Sequence, residues 1–206
     1  MRSELKFKRL ADDVFECPVG SPLEAQNLAR VLRASRLIED AVPGLNRVAV
    51  TFEPDRADDV QAWLDTLRPT DWPASEPSDT VELDIAYGGA DGPDLEAVCA
   101  TLGLSQTAFI AQHTAQTHTV EMLGFTPGFA YISGLSDAWS LSRLSDPRPR
   151  VPAGSVGISG RFTGVYALAG PGGWPLIGRT AAALFEADRD PPFLLHPGQH
   201  LRFRSV

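Results

Sequence analysis

Apolar positions in the first third of the chain keep two different rhythms. Lys6 to Leu10 and Val14 to Cys17 read as short strands flanking an Asp12-Asp13 turn. Ser21-Pro22-Leu23-Glu24 has the form of a capping box with proline at the first helical position. Leu28, Val31, Leu32, Ser35 and Ile38 then hold helical spacing until Pro43-Gly44, which predicts one helix across that interval. Val48 to Phe52 predicts a strand, and Asp55 is placed to cap a second helix with Val60, Leu64 and Leu67 on its apolar face. Strand, helix, strand and helix around a small sheet point to a ferredoxin-like unit.

The stretch Pro69 to Asp79, PTDWPASEPSD, has three prolines and no periodicity, so it reads as a linker dividing the chain into residues 1–79 and 80–206. Thr80 to Ala86 alternates as a strand. Pro93 opens a helix with Leu95, Val98, Cys99 and Leu102 on one side, closed by Gly103. Ser105 caps the next, which puts Phe109, Ile110 and His113 on one face. Beyond residue 120 the pattern shifts to short β-prone pieces (VEMLGF, SVGIS, VYALA, LIGRT, LRFRSV) between Gly/Pro turns, with twelve of the eighteen glycines. That texture predicts a compact β-barrel or sandwich, and the fold class is α+β.

Composition narrows the class. The 206 residues, 43% hydrophobic and 21% charged, are those of an ordinary globular chain with one large domain or two small ones. No apolar run is long enough for a membrane span, and the basic start lacks the apolar core of a secretory leader. Cys17 and Cys99 are too few for a disulfide framework, so reduced thiols in a cytoplasmic protein are expected. The net charge of −8 argues against nucleic acid as a partner. Residues 1–100 carry net −10 and residues 101–206 net +2, and every cation of the second part is Arg. Arginine without lysine fits bidentate recognition of carboxylate or phosphate, and fits a coding bias equally.

Several motifs are excluded by their context. His113 and His118 stand five residues apart, which aims the two rings in different directions on helix or strand, so no metal site is expected. His113 by itself reads as a satisfied core histidine or as a base. Ala153-Gly154-Ser155-Val156-Gly157 approaches a nucleophile elbow but lacks its first glycine and its strand-to-helix turn. Neither common glycine-rich nucleotide motif is present.

Three other segments share one logic: GFTPGFAY, RVPAGSVG and PGGWPLIGRT each join a Pro/Gly turn to an aromatic, a hydroxyl or an arginine. Glycine lets main-chain amides approach a ligand, and successive amides form an anion nest. Aromatic faces beside such turns make a binding wall, and Arg150 with Arg179 completes a carboxylate clamp. The three segments are therefore expected to line one cleft on a barrel.

YGGADGPDL (Tyr87 to Leu95), GFTPGFAYISGL, PRPRVPAGSVGISG (Pro147 to Gly160) and PGGWPLIGRT, followed by HPGQHLRFRSV, occur in the order and approximate spacing of one family. The chain resembles the B subunit of 5-oxoprolinase, also called allophanate hydrolase subunit 1 or the KipI kinase-inhibitor family, densely over residues 80–206. The resemblance implies a cyclophilin-like β-barrel after a small α+β domain. It implies a cytoplasmic heteromeric enzyme that opens 5-oxoproline to glutamate with ATP. In that enzyme the B component, inactive alone, pairs with a larger C component, similar to allophanate hydrolase subunit 2, and with an A component. By the same likeness a substrate cleft is lined by Phe125, Pro127, Gly128, Phe129, Tyr131, Pro152, Gly154, Ser155, Gly172, Gly173, Trp174 and Arg179, with His113 matching a family histidine. The sequence departs from the family at His118, at Arg161-Phe162, at Ala167 and at Gly170, which bears on the exact substrate.

Opening a lactam requires a hold on the substrate carboxylate and activation of an inert amide carbonyl. The expected roles are anion binding by Arg179 and the 154–155 and 172–173 amides, with Trp174 and Phe129 excluding water. Inhibition of a sensor histidine kinase and allophanate-type amide hydrolysis are the alternative readings of the same family.

Overall fold

The computed structural model describes residues 5–68 and 80–206. The chain divides into two compact units, 1–77 and 78–206, each with its own hydrophobic core. The linker expected over Pro69 to Asp79, and with it the boundary expected at 79/80, lies outside the described residues.

In the first unit, β1 (Lys8–Ala11), β2 (Val14–Pro18), β3 (Asp40–Pro43) and β4 (Arg47–Thr51) form an antiparallel sheet in the order β1-β2-β4-β3. Helices α1 (Pro22–Arg33) and α2 (Ala57–Leu64) bury Leu28, Leu32, Val60 and Leu64 with Phe15, Val48, Val50 and Phe52. The arrangement is ferredoxin-like, with the edge beside β2 supplied by the N-terminal hairpin rather than by a strand after α2. Ser21 caps α1 by accepting the Glu24 N–H at 3.2 Å, while Glu24 reaches back to the Gly20 N–H at 2.7 Å.

Two expectations about this unit are corrected. Helix α1 stops at Arg33 instead of running to Pro43, because Asp40–Pro43 pairs with β4 as an edge strand. Its alternation is that of a strand: Ala41 is fully buried and Val42 is exposed. Asp55 lies in a 3-10 turn, Pro54–Arg56, ahead of α2, and gives that helix no side-chain cap.

The second unit contains β5 (Val81–Tyr87), α3 (Leu95–Leu102), α4 (Gln106–Ala115), β6 (His118–Leu123), β7 (Ala130–Ser133), β8 (Arg148–Val151), β9 (Ser155–Ser159), β10 (Phe162–Val165), β11 (Gly170–Gly172), β12 (Leu176–Arg179) and β13 (His200–Ser205). Seven of these strands close a barrel in the order β10-β7-β6-β13-β5-β12-β9. Its strand pairs are antiparallel except β13 on β5. Strands β8 and β11 form a separate two-stranded ribbon. Ile85, Val120, Ile132, Val156, Ile158, Leu201 and Phe203 share one core with Leu95, Val98 and Phe109 of the two helices.

The two-residue period of β12 sorts its side chains. Ile177 enters the main core, whereas Leu176 joins a second cluster with Phe129, Val151, Tyr166 and Trp174. That second cluster positions the candidate site.

Candidate functional site

Phe129 is the hub of the second cluster. Its ring stands edge-on to Phe125 at 5.5 Å, Tyr131 at 4.9 Å, Tyr166 at 4.9 Å and Trp174 at 5.7 Å. Tyr131 in turn meets Trp174 edge-on at 5.7 Å. Edge-to-face packing places the positive rim of one ring against the negative face of the next, which fixes the wall's geometry.

These rings line a cleft of about 250 Å³ together with Gly172, Gly173, Pro147 and Arg143. Phe125 stands at its rim, 60% exposed. Its φ is 74°, in the left-handed region that a bulky aromatic rarely occupies, and this strain costs about 1–3 kcal/mol. Burial pushes the Tyr166 hydroxyl above the ordinary phenol range, opposed by the Trp174 backbone and by the charges of Arg143 and Arg148. Tyr166 therefore keeps its proton at neutral pH.

Behind the cleft, Asp94 links helix to ribbon. One carboxylate oxygen accepts from Arg148 Nη2 at 2.8 Å and the other from the Leu176 N–H at 2.6 Å. Arg148 Nη1 is buried with no partner among the described residues.

A second cleft of about 530 Å³ is lined by Ala86, Asp91, Ala153, Gly154, Ala167, Arg179, Thr180, Phe185 and three further alanines, 181–183. Its small side chains make the room. Arg179 donates from Nε to the Ala153 carbonyl at 3.0 Å and lies 4.0 Å from Asp91.

The single cleft expected from the three turn segments is thus two. Phe125, Phe129, Tyr131, Gly172, Gly173 and Trp174 share the aromatic cleft, while Gly154 and Arg179 line the alanine cleft. The division falls between neighbours: Tyr166 faces the first and Ala167 the second. Gly128 abuts Phe185 and Ala167, and Pro127, Arg150 and Pro152 line neither cleft.

The anion nest expected at 154–155 is also corrected. The Gly154 N–H donates to the Tyr166 carbonyl at 2.7 Å and the Ser155 N–H to the Pro152 carbonyl at 3.3 Å, so both amides are engaged within the protein. Gly154 has φ of 81° and packs on the Thr180 carbonyl, which leaves no room for a side chain.

His113 is 1% exposed inside the barrel and lines neither cleft. Its Nδ1 meets the Tyr87 hydroxyl at 2.6 Å and its Nε2 the Thr163 hydroxyl at 2.9 Å, so a neutral ring is satisfied on both sides. Burial, with His118 adjacent, holds its pKa down to about 3.

The sequence reasoning missed Arg143. It sits in the segment Ser140–Arg148, which has neither helical nor strand period, so nothing local announced that this guanidinium faces the rings.

A family model described as "Carboxyltransferase domain, subdomain C and D" matches residues 8–195, and the chain belongs to that family. Within it, the chain is 40% identical over 195 residues to the B subunit of 5-oxoprolinase from Escherichia coli O157:H7, covering 88% of this chain and 87% of that protein. It is 33% identical over 206 residues to the Haemophilus influenzae protein of the same name, covering 94% of each. Among solved structures, TTHA0988 superposes with a TM-score of 0.81 at 35% identity over 94% of this chain, which spans 40% of TTHA0988's length. Kluyveromyces lactis urea carboxylase superposes with a TM-score of 0.78 at 16% identity, a likeness of fold alone, and this chain spans 22% of it.

Proposed function

We propose that this chain is the B subunit of an ATP-dependent 5-oxoprolinase, the hydrolase that opens 5-oxo-L-proline to L-glutamate. The observation that carries the reading is the 40% identity that extends across nearly the whole chain to a relative bearing that name. The aromatic cleft agrees with it in kind. A small lactam acid needs a dry wall for its ring and a cation for its carboxylate, and the rings around Phe129 and the Arg143 guanidinium offer both.

This chain acts in the cytoplasm as one part of a complex with a larger C component and an A component, and is inactive alone. Support for a shared assembly comes from relatives whose name makes them one subunit among several, and from TTHA0988, in which this fold occupies less than half of a longer chain. Among the described residues, those lining these two clefts do not fit a triphosphate. Neither cleft is lined by lysine or by more than one arginine, whereas phosphate sites rely on several cations or a glycine-rich loop at a helix start. ATP enters this reading as the cofactor of the complex as a whole.

Co-expression with candidate A and C components, followed by an assay of ATP-dependent glutamate release from 5-oxoproline, tests the proposal. Activity of the three together, and none when this chain is left out, is the expected result. A reconstituted complex that binds all three chains yet releases no glutamate would overturn it.

A further inference from the structure

The two clefts hold one arginine each, and the two guanidiniums are in different circumstances. Arg179 donates from Nε to the Ala153 carbonyl and has an acidic neighbour, Asp91, at 4.0 Å. Arg143 has no acidic partner among the described residues, and no acidic side chain lines the cleft that it faces. Arg143 is itself exposed, so its charge is open to an incoming anion, and a guanidinium offers a carboxylate two parallel N–H donors.

A second polar group points the same way. Tyr166 lines the same cleft, and its hydroxyl lies within the field of Arg143 and Arg148. A phenol that keeps its proton has one hydrogen bond to donate. The cleft volume, about 250 Å³, suits a small ring.

We infer that the aromatic cleft is a carboxylate-binding site for a small cyclic acid, in which Arg143 pairs with the carboxylate, Tyr166 donates a second hydrogen bond, and Phe129 and Trp174 hold the ring. The identity of the acid as 5-oxoproline rests on the 5-oxoprolinase reading. The site itself rests on the geometry of Arg143, Tyr166 and the rings. Arg143 is the arginine of the aromatic cleft, whereas Arg179 lines the alanine cleft.

The test uses the full chain and the reconstituted complex. Calorimetric titration of the chain, alone and in the complex, with 5-oxoproline and with 2-pyrrolidinone (the same lactam without its carboxylate) reads the site directly. Arg143→Gln is expected to weaken 5-oxoproline binding about 10- to 100-fold and Tyr166→Phe about 3- to 10-fold. In the complex these losses should fall on KM, with kcat changing far less. 2-Pyrrolidinone should bind weakly and indifferently to Arg143. Arg202→Gln, an exposed guanidinium elsewhere on the barrel, should leave both readouts unchanged.

An active complex in which Arg143→Gln matches wild type overturns the site while the functional reading stands. A complex without activity, in which 5-oxoproline still binds through Arg143, overturns the functional reading while the site stands. Failure to bind in both preparations overturns the site.

Discussion

Gly164 lies directly under the indole of Trp174: a β-carbon at position 164 would come within 2.6 Å of the six-membered ring and 2.8 Å of the Phe129 ring. The aromatic wall therefore depends on the absence of a side chain on the barrel strand beneath it. Gly164→Ala is expected to displace the indole and destabilise the chain by about 1–3 kcal/mol, as overpacking does. Urea denaturation checks the stability, and 5-oxoproline titration checks the cleft, which should lose affinity in the same variant.

Acid should loosen the second unit through its buried imidazoles before its carboxylates respond. His113 is held neutral in the fold, with its pKa near 3, beside His118, Tyr87 and Thr163. In the unfolded chain the imidazole returns to its ordinary value, so the unfolded state takes up a proton that the folded state refuses. Stability from this residue is complete above about pH 6.5 and falls with pH from there toward the folded pKa, by up to about 1.4 kcal/mol per pH unit. His118, whose pKa burial also lowers, steepens the fall. Unfolding free energies between pH 7 and 4.5 should show this slope, and His113→Asn should flatten it. The lowered carboxylate of Asp84, in the same unit, acts only at more acid pH.

Asp94 holds both Arg148 and the Leu176 amide, and its side chain is only 18% exposed. Asp94→Asn removes the charge from both hydrogen bonds, and a loss of about 1–2 kcal/mol is expected, at the lower end for charge-assisted bonds because Arg148 is partly solvated. Thermal unfolding should register this as a fall of several degrees, and added salt should narrow the gap to wild type.

In the first unit the weak point is the helix cap. Ser21→Ala leaves the Glu24 N–H without its acceptor and should cost about 1 kcal/mol. Amide exchange should quicken in the first turn of α1, with the barrel strands unaffected.

What could be read from the sequence was whatever is local. The capping box at Ser21, the helix facing Phe109 and His113 inward, and the alternation of Val81 to Tyr87 are each decided by residues within one or two turns of each other. The end of α1 was not legible, because Ser35 and Ile38 continue its spacing, and only pairing with β4 pulls Asp40–Pro43 into the sheet. The aromatic set was legible as a set, since Phe125, Phe129 and Tyr131 adjoin one turn and Trp174 another. Its separation from Gly154 and Arg179 was not, because it depends on how the chain leaves β10, with Tyr166 lining one cleft and Ala167 the other. Arg143 enters from an aperiodic segment, and only the folded chain brings it to the rings.

The parallel pairing of β13 with β5 carries a kinetic consequence. Arg204 clasps Glu82 and Asp84 across a sequence separation of 120 residues or more, so the ring of strands shuts through its longest-range contacts. Joining such distant segments is slow, since the entropy of closing the loop must be met before the pairing rewards it. Until then β5 and β6 each present an open edge to any neighbouring chain, and the period before closure is when this protein most needs protection from aggregation.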